Sequence, residues 1–405
     1  MKEFVKNKVY PLSLFLIPIV LVNATKFIVP AIALWVVASF FHFQKPVWKE
    51  IPWIIYGILC FFILHVIGLI NTENLGYAGK DLETKLSFAI FPVIYIFTYK
   101  NLKLEAISWG KWGFVVASGF AMLHSFIKAY LCDSSGYGAC YAPHVYGFQM
   151  HGTYLTAIYL FSAVLLIKWQ KFNFVALILK VLYVLLLLVS LYYIRSLSSI
   201  VVVALLAIIL WGRAIFKMKS WLLKISVILL PLMFLFNISR IEAVERDLDS
   251  TATTIENYIK DKDLFLENAK DNSNSSGVRM VLYTLSWELI QEHFFGVGTG
   301  DVKDVLYKKY EAYGFHNYIE KKYNPHSQFF QTFIALGFLG ALLLIYVLIH
   351  PILWVKAYKQ KEIFYLAIII FISCAFESFL ERQVGVIFFS FAAFLLVNPK
   401  ALKKA

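Results

Sequence analysis

The stretch SQFFQTFIALGFLGALLLIYVLI, Ser327 to Ile349, runs without an Asp, Glu, Lys or Arg. Coiled as a helix, it reaches across a bilayer core of about 30 Å. Working outward, similar apolar runs recur near 9-23, 27-43, 51-70, 86-99, 112-130, 152-168, 174-194, 198-212, 221-238, 363-377 and 384-397. The chain is 60% hydrophobic and only 16% charged, with a mean hydropathy of +0.70, whereas soluble domains carry about a quarter charged residues. A soluble domain is thereby excluded, and the absence of short alternating segments excludes an outer-membrane barrel. The expectation is an all-α, polytopic transmembrane bundle of about twelve spans, a single transmembrane domain over 1-405.

The formal charge of +13 is not gathered into one basic arm or stripe, so it marks topology and not a nucleic-acid partner. Lys45 and Lys49, then Lys100, Lys103 and Lys111, then Lys168 and Lys171, then Arg213, Lys217 and Lys219, then Lys356, Lys359 and Lys361, then Lys400, Lys403 and Lys404 occupy every second gap or terminus. By the positive-inside rule those gaps and both termini are cytoplasmic. Lys2, Lys6 and Lys8 before an apolar run to Val22 have the charge order of a signal sequence, but a second span follows at once, which points to an uncleaved first helix.

The remaining gaps should face outward. The gap 131-151 has no Lys or Arg and contains Cys132 and Cys140, spaced either for a small disulfide loop or as two unpaired thiols. Cys60 and Cys374 fall within spans and are expected to pack there. The one long polar excursion, 239-326, is expected as a folded extracytoplasmic insert between the ninth and tenth spans. Within it Asp271 to Ser276 reads as a polar linker. Val278, Leu282, Leu285 and Leu289 then recur at helical spacing, and Gly296, Gly298 and Gly300 end that amphipathic helix.

Three residues stand out chemically. Arg279 follows Ser275, Ser276 and Gly277 in the first turn of this helix, where free amides and the helix dipole favour an anion, so it is either part of a phosphate site or a surface arginine paired with an acid. Arg195 follows the apolar run Val181 to Ile194, and a charge at a membrane boundary is a functional candidate or a snorkelling side chain. His326, in Asn324-Pro325-His326-Ser327, sits where Asn324 can cap and Pro325 can occupy the first turn of the following span. The dipole there disfavours an imidazolium, leaving either a proton acceptor or a capping, interfacial histidine. Gly296-Val297-Gly298-Thr299-Gly300-Asp301 follows a helix and lacks a Gly-Lys-Ser/Thr ending, so it reads as a tight turn and not a nucleotide loop. The nine histidines form no close His/Cys/Asp cluster, and neither metal nor cofactor is expected.

These pieces together resemble the O-antigen ligase and O-antigen polymerase superfamily. The resemblance lies in Ser276-Gly277-Val278-Arg279, Trp287-Glu288, Phe295-Gly296-Val297-Gly298-Thr299-Gly300-Asp301, and His326-Ser327-Gln328 leading into Leu336-Gly337-Phe338-Leu339-Gly340. It continues in Lys85-Leu86-Ser87 with Phe91-Pro92, and in Glu377-Ser378-Phe379-Leu380-Glu381-Arg382 with Gly385. Ser327 departs mildly, since the family histidine is usually followed by Asn.

The resemblance implies a metal-independent, inverting glycosyltransferase on the outer face of the bacterial inner membrane. It would move a glycan from undecaprenyl diphosphate to a sugar hydroxyl of lipid A-core. The corresponding polymerase would use a carrier-linked repeat unit as acceptor. Carried over, Arg195 and Arg279 would grip the diphosphate and His326 would activate the hydroxyl. Lys85, Glu381 and Arg382 would line the donor path or support Arg195. A transporter is the reading from another class, but no internal repeat is visible and the candidate charges sit at the outer boundary, away from the midplane.

Overall fold

The computed structural model describes residues 2–131, 150–169, 174–194, 201–206, 208–209, 242–270, 274–355 and 360–397. Arg195, Cys132, Cys140 and the expected span 221-238 lie outside these residues, and the expected span 198-212 lies only partly within them.

All regular structure among the described residues is helical. The chain begins with α1 (Lys2–Asn23), α2 (Thr25–His42) and α3 (Trp53–Asn71). Next comes a pair bent by 40°, α4 (Leu75–Lys85) and α5 (Ser87–Asn101). Then follow α6 (Leu104–Leu131), α7 (Gly152–Lys168) and α8 (Phe174–Ile194). The insert contributes α9 (Glu242–Lys260), α10 (Lys262–Asn268), α11 (Ser275–Glu292), α12 (Val302–Ala312) and α13 (His316–Glu320). The chain closes with α14 (Gln328–Leu353), α15 (Glu362–Phe376) and α16 (Gln383–Leu396).

Among the described residues, six helices are long and apolar enough to cross a membrane, or seven if the bent pair is one span, while α7, α15 and α16 are shorter apolar helices. The protein is a multi-pass membrane protein, and its described helices do not by themselves reach twelve spans. The expected span 86-99 is the second limb of the bent pair. Its first limb, α4, escaped hydropathy because LGYAGKDLETK is polar.

The bundle packs by close fit, as membrane helices must when lipid is as apolar as their own side chains. Tyr10, Leu14 and Ile17 of α1 and Phe114, Ala117 and Ala121 of α6 are buried. A Cβ on Gly113 would sit 2.5 Å from the Phe15 carbonyl, so the two backbones meet there without a side chain between them. Helix α16 is the axle of the fold, buried from Gly385 through Leu396. Its Phe394 meets Trp35 edge-on at 5.1 Å, and Trp35 stacks on Phe91 at 5.0 Å. Cys374 is buried as expected, but Cys60 is exposed on α3 and does not pack in the core.

The span that opened the sequence analysis is broken. At Gly337 (φ 66°, ψ −164°) α14 leaves helical geometry, a conformation that strains any residue with a Cβ. The break disrupts the helix's own hydrogen bonding in a region where backbone groups need protein partners. The glycine run supplies them: Val297 N–H donates to Ile334 O and Gly298 N–H to Ala335 O, both at 2.9 Å, while Phe338 N–H donates to Phe294 O at 3.1 Å. The run continues into α3 and α4. Thr299 Oγ1 donates to the His65 carbonyl at 2.6 Å, and the Asp301 carboxylate accepts the backbone N–H groups of Glu73 and Asn74 at 2.8 Å each. The tight turn read from the sequence is therefore also a clasp joining the insert to the bundle. Helix α11 stops earlier than those glycines, at Glu292 with His293 as its C-cap, and begins inside the expected linker, at Ser275.

Candidate functional site

Helix α11 starts where Asn274 accepts the Gly277 N–H at 2.6 Å, the cap that satisfies an otherwise orphaned amide. Of the expected apolar face, Leu282, Leu285 and Leu289 are buried and Val278 is half-buried, while Val281 is buried beside them. Arg279 therefore lies in the first turn, as the sequence implies. One guanidinium nitrogen donates to Ser275 Oγ at 3.1 Å, and Nε is buried with no hydrogen-bond partner among the described residues. A buried donor left unpaired costs roughly 1–3 kcal/mol, and an anionic ligand would relieve that cost.

His326 is placed differently from the cap first expected. The N-cap of α14 is Ser327, and Pro325 lies before the helix. The Asn324 side chain caps no helix here; it accepts the His326 N–H at 3.0 Å. That bond helps to hold His326 at φ 48°, a left-handed conformation uncommon outside glycine and most often kept where function requires it. Its ring is half-buried, and Nδ1 lies 3.2 Å from Glu377 Oε2.

Glu377 completes the centre, although the sequence analysis quoted it only within a motif. It caps the C-terminus of α15, where the helix dipole repels an anion, so a cationic or donor partner is physically demanded. That was the available signal. Burial pushes its pKa up, but His326, His151 and Arg279 outweigh burial and hold the carboxyl below the usual carboxylate range. Tyr283, one turn after Arg279, bonds the carbonyls of His326 and Ala375 at 3.3 Å each, tying α11 to α14 and α15.

His151, which precedes α7, feels the same cluster. Desolvation lowers its pKa, Glu377 opposes this, and Arg382, His326 and Arg279 lower it further. No sequence signal distinguished it. The structure thus brings His326 to one carboxylate, with Arg279, His151 and Arg382 within electrostatic reach of the pair. Arg195 is outside the described residues. Its chain neighbour Ile194 packs against Gly152, where an added Cβ would sit 2.5 Å from Ile194 Cγ2, beside His151.

Lys85 and Glu381 do different work from a free donor path. Lys85 is buried and pairs with Asp81 and, at 2.9 Å, with Glu381. Gln328 Nε2 donates to the other Glu381 oxygen at 2.9 Å, and Gln328 Oε1 accepts the Leu380 N–H at 2.7 Å. Burial raises the Glu381 pKa, but Lys85 and Gln328 prevail and hold it below the usual range. This network fixes the segment carrying Glu377 against α4 and α14. Arg382 is exposed and forms no such pair among the described residues.

No group of three or more His, Cys, Asp or Glu among the described residues could hold a metal ion. Residues 182–345 match the family model described as O-antigen ligase. That segment includes Arg195, Arg279 and His326, while Lys85, Glu377, Glu381 and Arg382 lie beyond it. A comparison with curated proteins finds no match.

Proposed function

We propose that this chain, whose residues 182–345 match the family model described as O-antigen ligase, is an O-antigen ligase. It would transfer a glycan from undecaprenyl diphosphate to a sugar hydroxyl of lipid A-core at the periplasmic face of the bacterial inner membrane. The observation that carries this reading is the His326–Glu377 pair at 3.2 Å with Arg279 acting on the same carboxylate.

The chemistry is a single displacement. Glu377 accepts a hydrogen bond from Nδ1–H of His326, which fixes the tautomer and leaves Nε2 to take the proton of the acceptor hydroxyl. The hydroxyl oxygen forms a bond to the anomeric carbon as the bond from that carbon to the diphosphate oxygen breaks, so the configuration inverts. The bonding electrons leave with the lipid diphosphate, whose developing charge Arg279 and Arg195 stabilise without a metal. Glu377 then faces the imidazolium formed in the step and stabilises it.

The test is transfer from a carrier-linked glycan to lipid A-core by the purified protein in nanodiscs, without ATP or added divalent metal. Transfer should collapse in His326→Ala and Arg279→Ala with folding intact. Chain growth on carrier-linked repeat units, with no product on lipid A-core, would make the protein a polymerase. If neither product forms, the transferase reading is refuted.

A further inference from the structure

Next to the segment that leads to His326, lined by Tyr323 and Asn324, lies a cavity of about 250 Å³ that the mechanism above does not use. Its walls come from the N-terminal turn of α4, from α12, from the segment leading to His326 and from the residues after α15. Lys303, Lys322 and Arg382 line it, and among the described residues none of them forms an ion pair. The one acid in the lining, Glu381, pairs with Lys85, which it shares with Asp81. Lys303 Nζ instead lies over the rings of Tyr307 and Tyr77, at 5.2 and 5.9 Å. A cation–π contact holds an ammonium in place without cancelling its charge.

A second observation is independent of charge. Gln331, at only 8% exposure, contributes a neutral polar side chain to the lining. Tyr323 adds a third aromatic wall and stands 5.8 Å, ring to ring, from His326. Lys322, like His326, holds a positive φ, of 54°, so left-handed residues bracket the short segment between cavity and catalytic ring.

We propose that this cavity is an anionic-saccharide subsite, taking one sugar residue that bears a carboxylate or phosphate and holding it beside His326. The three cations match the acid group, the tyrosine faces match a pyranose ring, and the Gln331 amide matches a sugar hydroxyl. Its volume falls just below the usual range of about 300–1,000 Å³ for small-molecule sites, which suits a single sugar and not a chain. This inference rests on the transferase reading for its biological use, but not for its binding test. The acid group could belong to the acceptor or to the glycan being moved.

The experiment uses full-length protein in nanodiscs, wild type against Lys303→Glu and Lys322→Glu, with His326→Ala as a control that leaves the cavity cations in place. Binding of glucose 1-phosphate, galacturonate and neutral glucose is measured first. Wild type and His326→Ala should bind the two acidic sugars at least tenfold more tightly than glucose, and each charge reversal should abolish that preference. In the transfer assay the same reversals should raise KM with kcat kept within about twofold. A rise in the acceptor KM locates the acid group on the acceptor, and a rise in the donor KM locates it on the glycan. Equal binding of acidic and neutral sugars by wild type, or a preference that survives both reversals, overturns the subsite. Absence of transfer in wild type would refute the transferase reading while the binding arm still decides the cavity.

Discussion

Replacing Glu377 by Gln keeps the size and one acceptor oxygen of the side chain but removes the charge that His326 faces. The carboxylate is 9% exposed and 3.2 Å from Nδ1, so solvent screens it little. The separation is nevertheless longer than the 2.7–2.9 Å typical of a strong charge-assisted bond. A hydrogen bond to a charged group contributes about 1.5–3 kcal/mol. If that stabilisation is realised when the imidazolium forms, kcat should fall roughly 10- to 150-fold, at about 1.4 kcal/mol per decade. Loss should appear mainly in kcat, because the ion pair strengthens in the transition state and not on binding. The assay is glycan transfer to lipid A-core in nanodiscs, with thermal unfolding as the control for folding. A correctly folded Glu377→Gln protein with kcat within twofold of wild type would refute the role given to this carboxylate.

Arg279→Lys keeps a positive charge but loses the planar fork that matches a phosphate, so donor kcat/KM should fall about tenfold or more; unchanged donor kinetics would remove Arg279 from the diphosphate. Gln328→Ala leaves the Leu380 N–H and a Glu381 oxygen without a partner, and should destabilise the protein by about 2–4 kcal/mol, read as a lower unfolding midpoint in detergent. The Glu377 pKa is depressed in the folded protein, so its contribution to stability is present at neutral pH and is lost as pH falls through its folded value, below the usual carboxylate range. Glu377→Gln should therefore lose less stability than wild type on acidification from roughly pH 7 to pH 3, and parallel curves would contradict that linkage. Gly337→Ala forces a Cβ into a left-handed residue pressed on the Phe295 backbone, and should lower the yield of folded protein markedly, whereas a normal yield would show that the break can straighten.

How much of this was legible in the sequence depends on whether a residue's signal is local. The apolar runs, the face of α11 and the positions of Arg279 and His326 at helix starts all follow from periodicity and from the residues beside them. Glu377 was visible only as an acid at the wrong end of a helix, and its partner lies 51 positions away. His151 and the cavity around Gln331 gave no local sign, because tertiary packing of separate elements creates both. Hydropathy also passed over α4, in which Asp81 and Lys85 are polar yet buried against each other. The capping assignment for Asn324 failed for a related reason: its side chain has a choice of amides, and the turn at His326 decides which one it takes.

The clasp between the glycine run and the break in α14 limits how far the protein can be taken apart. Deleting the glycine run, or cutting it away after folding, would strip the Ile334 and Ala335 carbonyls of the donors they receive from Val297 and Gly298. The glycine run is therefore not a detachable loop laid over α14. Bundle and insert have to be made, folded and inherited as one object, and a chimera that exchanges either half must bring the matching half of this seam with it.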